Sequence, residues 1–278
     1  MKAVRPKKNL GQHFLTDLNV AKAIADTVDA CPDIPILEVG PGMGVLTQYL
    51  TQKGREVKVV EIDRESVEYL NEAYPMLRDN IIGEDFLKMD LHTVFSGSPF
   101  VLTGNYPYDI SSQIFFKMLD NRDIIPCCTG MIQREVALRI ASQPGNKQYG
   151  ILSVLIQAWY NVEYLFTVDE NVFNPPPKVK SAVIRMTRND VQNIGCDENL
   201  FKRVVKTVFN QRRKMLRVSL RQIFSKLKND DEFFTHELMT KRPEQLTILQ
   251  FVELTNLVDN QLKAETWNDM MSTENKYL

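Results

Sequence analysis

Asn105-Tyr106-Pro107-Tyr108 places a side-chain amide, a rigid turn and an aromatic ring in immediate succession. The four residues follow the apolar run 100–102, which reads as a buried strand, so they fall at its carboxyl end. In open α/β sheets that edge binds ligands. Pro107 fixes φ and removes a donor, so its carbonyl and the Asn105 amide oxygen can be aimed at one point. Two acceptors beside the Tyr108 ring suit a planar group carrying an NH₂, such as the exocyclic amine of adenine. A Pro-containing turn with a solvent-facing Tyr is the plainer alternative.

A second cluster lies earlier. Residues 38–47, EVGPGMGVLT, close one strand and open a helix with Gly40, Gly42 and Gly44. Glycines there permit a tight turn and close approach of a ligand to the backbone. The spacing is G-x-G-x-G, not the G-x-G-x-x-G of dinucleotide folds, and Pro41 leaves fewer amides to wrap a pyrophosphate. Glu61 ends the second strand, where it can accept from both ribose hydroxyls. Asp85 follows the third strand, where it can accept from an adenine amine while Phe86 packs on the ring. Glu38 and Asp63 read more simply as helix N-caps. This set, in order after three strands, resembles the S-adenosylmethionine site of Rossmann-like methyltransferases; a nucleotide or NAD enzyme stays open on these residues alone.

The elements that must hold these groups are legible as a pattern. Apolar runs at 36–40, 57–62, 81–83, 100–103 and 127–133 alternate with helical spacing at 46–53, 64–73 and 111–119, which predicts a doubly wound, mostly parallel α/β sheet. Stretches 162–168 and 179–186 flank Asn174-Pro175-Pro176-Pro177 with no long helix between them, and predict an antiparallel hairpin at the sheet edge. From 200 to 227 the apolar period becomes helical, and 246–257 suggests another helix. The expected division is a catalytic domain over 1–190, including a basic N-terminal arm, and a small helical domain over 191–278. The tail from about Lys263 is expected to fray.

Length and composition, 278 residues with 44% hydrophobic and 25% charged, are ordinary for a globular chain. No stretch reaches a membrane span and the N-terminus lacks a signal-peptide core. Cys31, Cys127, Cys128 and Cys196 show no C-x-x-C spacing, which favours reduced, packed thiols in a cytoplasm. The scattered His13, His92 and His236 argue against a histidine metal site. Net charge is −1, yet residues 1–16 and 199–228 hold 14 basic residues and no acid. The remainder has 20 basic against 35 acidic residues, so the chain is electrically polarised, as a polyanion-binding protein would be. On a continuous helix Arg213, Arg217 and Arg221 would share one face, flanked by Arg212 and Lys214, with Leu216, Leu220, Ile223 and Leu227 opposite. Lys7 and Lys8 of the arm are the other candidates for RNA contact.

Four separate motifs then coincide: Gly11-Gln12-His13-Phe14-Leu15 after the basic arm, Asn105-Tyr106-Pro107-Tyr108, Phe173-Asn174-Pro175-Pro176-Pro177-Lys178-Val179, and Phe209-Asn210-Gln211-Arg212-Arg213-Lys214. Over residues 5–225 the chain resembles the ribosomal RNA adenine dimethyltransferases, most closely the bacterial small-subunit branch associated with kasugamycin sensitivity. The resemblance implies S-adenosylmethionine as cofactor and no metal. His13 and Leu15 would close on its methionine end, Gly40 would underlie the methionine portion, Gly42 would also bind the cofactor, Glu61 would hold the ribose, and Asp85 the adenine. Asn105 would lie between cofactor and substrate, with Pro107, Tyr108 and Phe173 receiving the target base. The family usually has Asn in place of His13, and Leu or Ile in place of Tyr106, which would narrow the pocket. The implied reaction is N6,N6-dimethylation of two adjacent adenosines near the 3′ end of 16S ribosomal RNA, by a cytoplasmic monomer that also serves small-subunit biogenesis. A large-subunit (23S) resistance methyltransferase and a mainly non-catalytic assembly factor are the alternatives.

Overall fold

The computed structural model describes residues 4, 6–7, 12–224 and 232–274, with side chains as far as residue 264. Lys2, Arg5, Lys8, Gly11, Lys226, Leu227 and Lys228 lie outside the described residues.

A short strand β1 (Phe14–Leu15) precedes helix α1 (Leu18–Asp26), capped by the Asp17 carboxylate, which accepts from the backbone N–H groups of Asn19 and Val20. There follow β2 (Ile36–Val39), α2 (Thr47–Leu50), β3 (Val57–Val60), α3 (Arg64–Ala73), β4 (Ile81–Ile82), β5 (Val101–Thr103), α4 (Ser111–Asp120), β6 (Cys127–Gln133) and α5 (Arg134–Ala141). The chain continues through α6 (Ile151–Gln157), β7 (Tyr160–Val168), β8 (Phe173–Asn174), β9 (Ser181–Arg188), α7 (Glu198–Asn210), α8 (Leu216–Ser219), α9 (Glu232–Thr235) and α10 (Ile248–Glu274).

Seven strands form one sheet in the order β4-β3-β2-β5-β6-β9-β7. The first five are parallel, so their carboxyl ends share one edge. The expected hairpin is present: β7 pairs antiparallel with β9, and the reversed strand β9 sits between β6 and the edge. All four residues of β2 are buried, as expected for a parallel strand covered on both faces. Burying each such Ile, Leu or Val contributes about 1.5–3 kcal/mol. A second, two-stranded sheet that period-based reading missed joins β1 to β8, pairing Leu15 with Phe173 and Phe14 with Asn174. Two-residue strands are too short for alternation to show.

Two compact units emerge: residues 1–141 with 159–189, and residues 142–158 with 190–278. The sequence suggested one cut near 190; segment 142–158, with α6, instead groups with the helical unit. Its Tyr149 ring meets Phe209 edge-on at 6.2 Å, and Phe209 stacks on Phe251 of α10 at 5.8 Å. Phe201, Val204, Val205 and Val208 give α7 its buried stripe.

The continuous helix expected over 200–227 is broken. Helix α7 stops at Asn210, residues 211–215 turn, and α8 is followed by a 3₁₀ turn over Leu220–Gln222. Tertiary bonds outweigh local period here: Arg212 Nε donates to Glu244 Oε2 at 2.8 Å, and the Leu216 N–H donates to the Lys241 carbonyl at 2.9 Å. Conversely, α10 stays helical to Glu274 where fraying was expected. The cysteines also differ from expectation. Cys31 and Cys127, 96 residues apart, form a disulfide with Cα atoms at 5.8 Å, while Cys128 and Cys196 are free. Pairing at that sequence separation depends on β6 passing the turn after α1.

Candidate active site

A cavity of about 260 Å³ opens at the carboxyl edge of β2, β3, β4 and β5. Each strand delivers one polar group where it ends. Val39 leads into Gly40, Val60 into Glu61, Ile82 into Glu84 and Asp85, and Thr103 into Gly104 and Asn105. The N-terminal segment Gln12–Leu15 supplies another wall.

Glu61 is 5% exposed and both its oxygens are held. The Gly42 N–H donates to Oε2 at 3.0 Å and the Asp63 N–H donates to Oε1 at 2.9 Å. Burial raises the Glu61 carboxyl above its usual range, opposed by these backbone donors. Each carboxylate oxygen keeps a further lone pair for a ligand hydroxyl. Gly44 shows why glycine is needed in the loop: at φ +78, an added Cβ would lie 2.4 Å from the Tyr74 ring, whose hydroxyl donates to the Gly44 carbonyl.

The loop amides are already engaged. Gly40 N–H donates to Val60 O at 2.9 Å, Gly44 N–H to Pro41 O at 2.8 Å, and Gly42 N–H to Glu61. None of these three glycine amides is left to cradle a pyrophosphate in the way dinucleotide loops do. Among the described residues the cavity wall holds Glu38, Glu61, Glu84, Asp85 and Asp109, and no Lys or Arg. Buried Glu38 adds little charge, but Glu61, Glu84, Asp85 and Asp109 make a wall that repels a polyphosphate and suits a ligand with hydroxyls, an amine and positive charge. S-adenosylmethionine is such a ligand: Glu61 would hold its ribose, Asp85 its amine, and Phe86 and Ile62 the adenine faces.

Glu38 departs from its N-cap reading. It lies inside β2, 1% exposed, and accepts from Thr47 Oγ1 at 2.6 Å. Burial pushes its carboxyl up to about 8, against the Thr47 bond and with Glu61 adding to the rise. Asp63 occupies the N-cap position of α3, but its carboxylate makes no capping bond to the helix backbone. Burial alone would raise its carboxyl, but Lys7 Nζ at 2.5 Å and Ser66 Oγ at 3.0 Å hold it below the usual range. Lys7, expected as a phosphate contact, is thus paired with Asp63 and Glu65.

On the substrate side, Asn105 extends β5 through a parallel bridge to Met131. Its Nδ2 donates to the His13 carbonyl at 3.3 Å, which leaves Oδ1 as the unspent acceptor. Tyr106 borders the cavity, but its side chain runs into the core, 1% exposed, with its hydroxyl donating to the Thr129 carbonyl at 2.9 Å. Its ring therefore fills the core behind the turn, where the expectation was a narrowed pocket. Pro107 turns the chain and Tyr108 lines the cavity, its hydroxyl bonded to Ser181 Oγ. Phe173 is not brought to the cavity wall: pairing of β8 with Leu15 buries it, 4% exposed, in the core. Leu15 is buried beside it and reaches the cavity. His13 lines the cavity too, its ring against Tyr108. Lys7 as a latch on Asp63 and Ser181 under Tyr108 depend on partners 56 and 73 residues away, and Thr47 reaches Glu38 across the loop, pairings that no local pattern displays.

In the helical unit the basic residues separate. Arg212 pairs with Glu244, and Arg221 lies over the Phe234 ring at 4.9 Å. Arg213, Lys214 and Arg217 are exposed, in the turn and on α8.

A family model described as Ribosomal RNA adenine dimethylase matches residues 3–260. The chain is 70% identical over 266 residues to Ribosomal RNA small subunit methyltransferase A of Bacteroides thetaiotaomicron, covering 96% of this chain and 98% of that protein. Among solved structures it is similar to 23S rRNA methyltransferase ErmE, with TM-score 0.61 and 26% identity over 88% of this chain and 99% of that one. It shares the fold of a dimethyladenosine transferase from Plasmodium falciparum, with TM-score 0.72 and 21% identity over 87% and 96% of the two chains. The family model and the 70% identity over nearly the whole chain mean that the chain belongs to the ribosomal RNA adenine dimethylase family.

Proposed function

We propose that this protein dimethylates, at N6, two adjacent adenosines near the 3′ end of small-subunit ribosomal RNA, using S-adenosylmethionine. The observation that carries the reading is the cavity wall of five acids and no Lys or Arg among the described residues, opening beside Asn105 and Pro107. When bound, S-adenosylmethionine supplies an electrophilic methyl group on a sulfonium. The protein's part is to aim the nucleophile. An adenine N6 lone pair is delocalised into the ring and attacks poorly. In the first transfer Asn105 Oδ1 and the Pro107 carbonyl accept hydrogen bonds from its two N–H groups, and in the second one of them holds the single N–H left, favouring a pyramidal nitrogen whose lone pair points along the transfer line. That is positioning and preorganised electrostatics. Tyr108 offers the stacking face, and leaving the RNA stack costs the base a few kcal/mol. The proton released after transfer passes to water, so no general base is assigned.

The small-subunit reading rests on the 70% identity to a small-subunit methyltransferase, against 26% for the 23S enzyme. In the same proposal residues 191–278, with exposed Arg213, Lys214 and Arg217, dock the ribosomal RNA, and the enzyme acts as a cytoplasmic monomer without a metal, with a second role in subunit biogenesis. Incubating unmethylated small subunits with protein and isotopically labelled S-adenosylmethionine, then mapping modified adenosines by mass spectrometry, tests this. Label in two adjacent adenosines near the 3′ end is the expected result; label elsewhere, or none, defeats it.

A further inference from the structure

His13 lies against the one aromatic face that the proposed reaction needs. Its imidazole stacks on Tyr108 with ring centroids 5.5 Å apart and 28° between planes, and both residues line the cavity. The arrangement is held at three points. His13 Nδ1 faces the Pro175 carbonyl at 2.9 Å, an acceptor-only partner, so that nitrogen carries the proton. The His13 carbonyl accepts from Asn105 Nδ2, and the Tyr108 hydroxyl is bonded to Ser181 Oγ. An imidazole is also the five-membered ring of a purine, flat and aromatic.

We propose that the His13 side chain is a built-in stand-in for the target base, resting on Tyr108 until an incoming adenine displaces it. The proposal rests on Tyr108 being the platform for that base. In it, His13 sets an entry threshold. A base must recover, by stacking and through the Asn105 and Pro107 acceptors, what the His13–Tyr108 contact and the Pro175 bond contribute. Adenine meets both acceptors with its amine; guanine and the pyrimidine uracil present a carbonyl at the equivalent edge and cannot. The stand-in thereby sets one entry cost for every base, with discrimination left to the two acceptors, and the His13 backbone carbonyl keeps the Asn105 amide turned with Oδ1 free during the exchange.

The test compares full-length wild type with His13→Asn and His13→Phe at saturating S-adenosylmethionine. Single-turnover methylation of unmethylated small subunits is measured over a range of subunit concentrations. His13→Asn keeps a donor for Pro175 but removes the aromatic face. Its transfer efficiency, rate constant over half-saturating concentration, should rise about 2- to 12-fold, which corresponds to the ~0.5–1.5 kcal/mol of one aromatic pair. His13→Phe keeps a ring on Tyr108 and should match wild type or fall below it. A fall with His13→Asn would make the imidazole a wall that helps hold the base, and would overturn the proposal. Equal efficiency in all three proteins, or a rise in both variants, would overturn it as well. Failure of the underlying reading looks different: wild type itself would then methylate no adenosine of the subunit.

Discussion

The Gly42 backbone N–H and the Glu61 carboxylate, 19 residues apart, meet at 3.0 Å and tie the glycine loop after β2 to the acid after β3. The bond aims Glu61 and closes off the loop amide at once. Replacing Glu61 with Ala should weaken S-adenosylmethionine binding about 10- to 100-fold, the range for hydrogen bonds to a charged group. It also strands the Gly42 and Asp63 N–H groups, so stability should fall by about 1–3 kcal/mol. Calorimetric titration and thermal melting read the two effects separately, and unchanged affinity would remove Glu61 from the ribose role.

Asn105→Ala deletes the Oδ1 acceptor while leaving the Pro107 carbonyl. By analogy with loss of one preorganised polar group, the single-turnover rate should drop about 10²- to 10³-fold, with cofactor affinity changing much less. Retention of more than half the wild-type rate would show that Asn105 does not orient the amine.

Gly104 sits where β5 passes β2, and an added Cβ would lie 2.5 Å from the Val39 carbonyl oxygen. Gly104→Ala should therefore destabilise by about 1–3 kcal/mol through overpacking, and should displace Asn105 next to it. Urea unfolding is the measurement; a midpoint equal to wild type would mean that the strands separate without cost.

The exposed and the paired arginines of the helical unit should behave differently. Reversing Arg213 and Arg217 to Glu should weaken binding to small subunits and make its salt dependence shallower, since each lost phosphate contact removes roughly one released counterion. Arg212→Ala breaks the pair with Glu244 and should act mainly on stability. Filter binding across a salt series decides; an unchanged slope in the double reversal would leave that surface without an RNA role.

Glu38 gives stability a pH dependence of predictable sign. Burial lifts its folded pKa to about 8 from an ordinary 4.5, so between those values the folded protein holds a proton that the unfolded chain has released. Stability should then fall as pH rises from about 4.5 to 8. Glu38→Gln keeps a hydrogen-bonding group for Thr47 and should flatten the melting-temperature profile over that window. Parallel profiles would show that Glu38 is ionised throughout.

The order of strands and helices from 36 through 133, the β7–β9 hairpin and the gathering of Asn105, Glu61 and Asp85 at one sheet edge were legible in the sequence alone. They rest on local quantities: apolar period, glycine spacing, and the rule that parallel strands present their carboxyl ends along one edge. What lies beyond local period belonged to the tertiary structure. The break after Asn210 comes from Arg212 reaching Glu244, 32 residues on. Phe173 is withdrawn from the cavity by pairing with Leu15, 158 positions earlier, and Lys7 is spent on Asp63 across 56. Cys31 finds Cys127 only because β6 is laid beside the turn after α1. Side-chain type specifies what a group can do; which partner has already claimed it is settled by contacts between segments that share no local pattern.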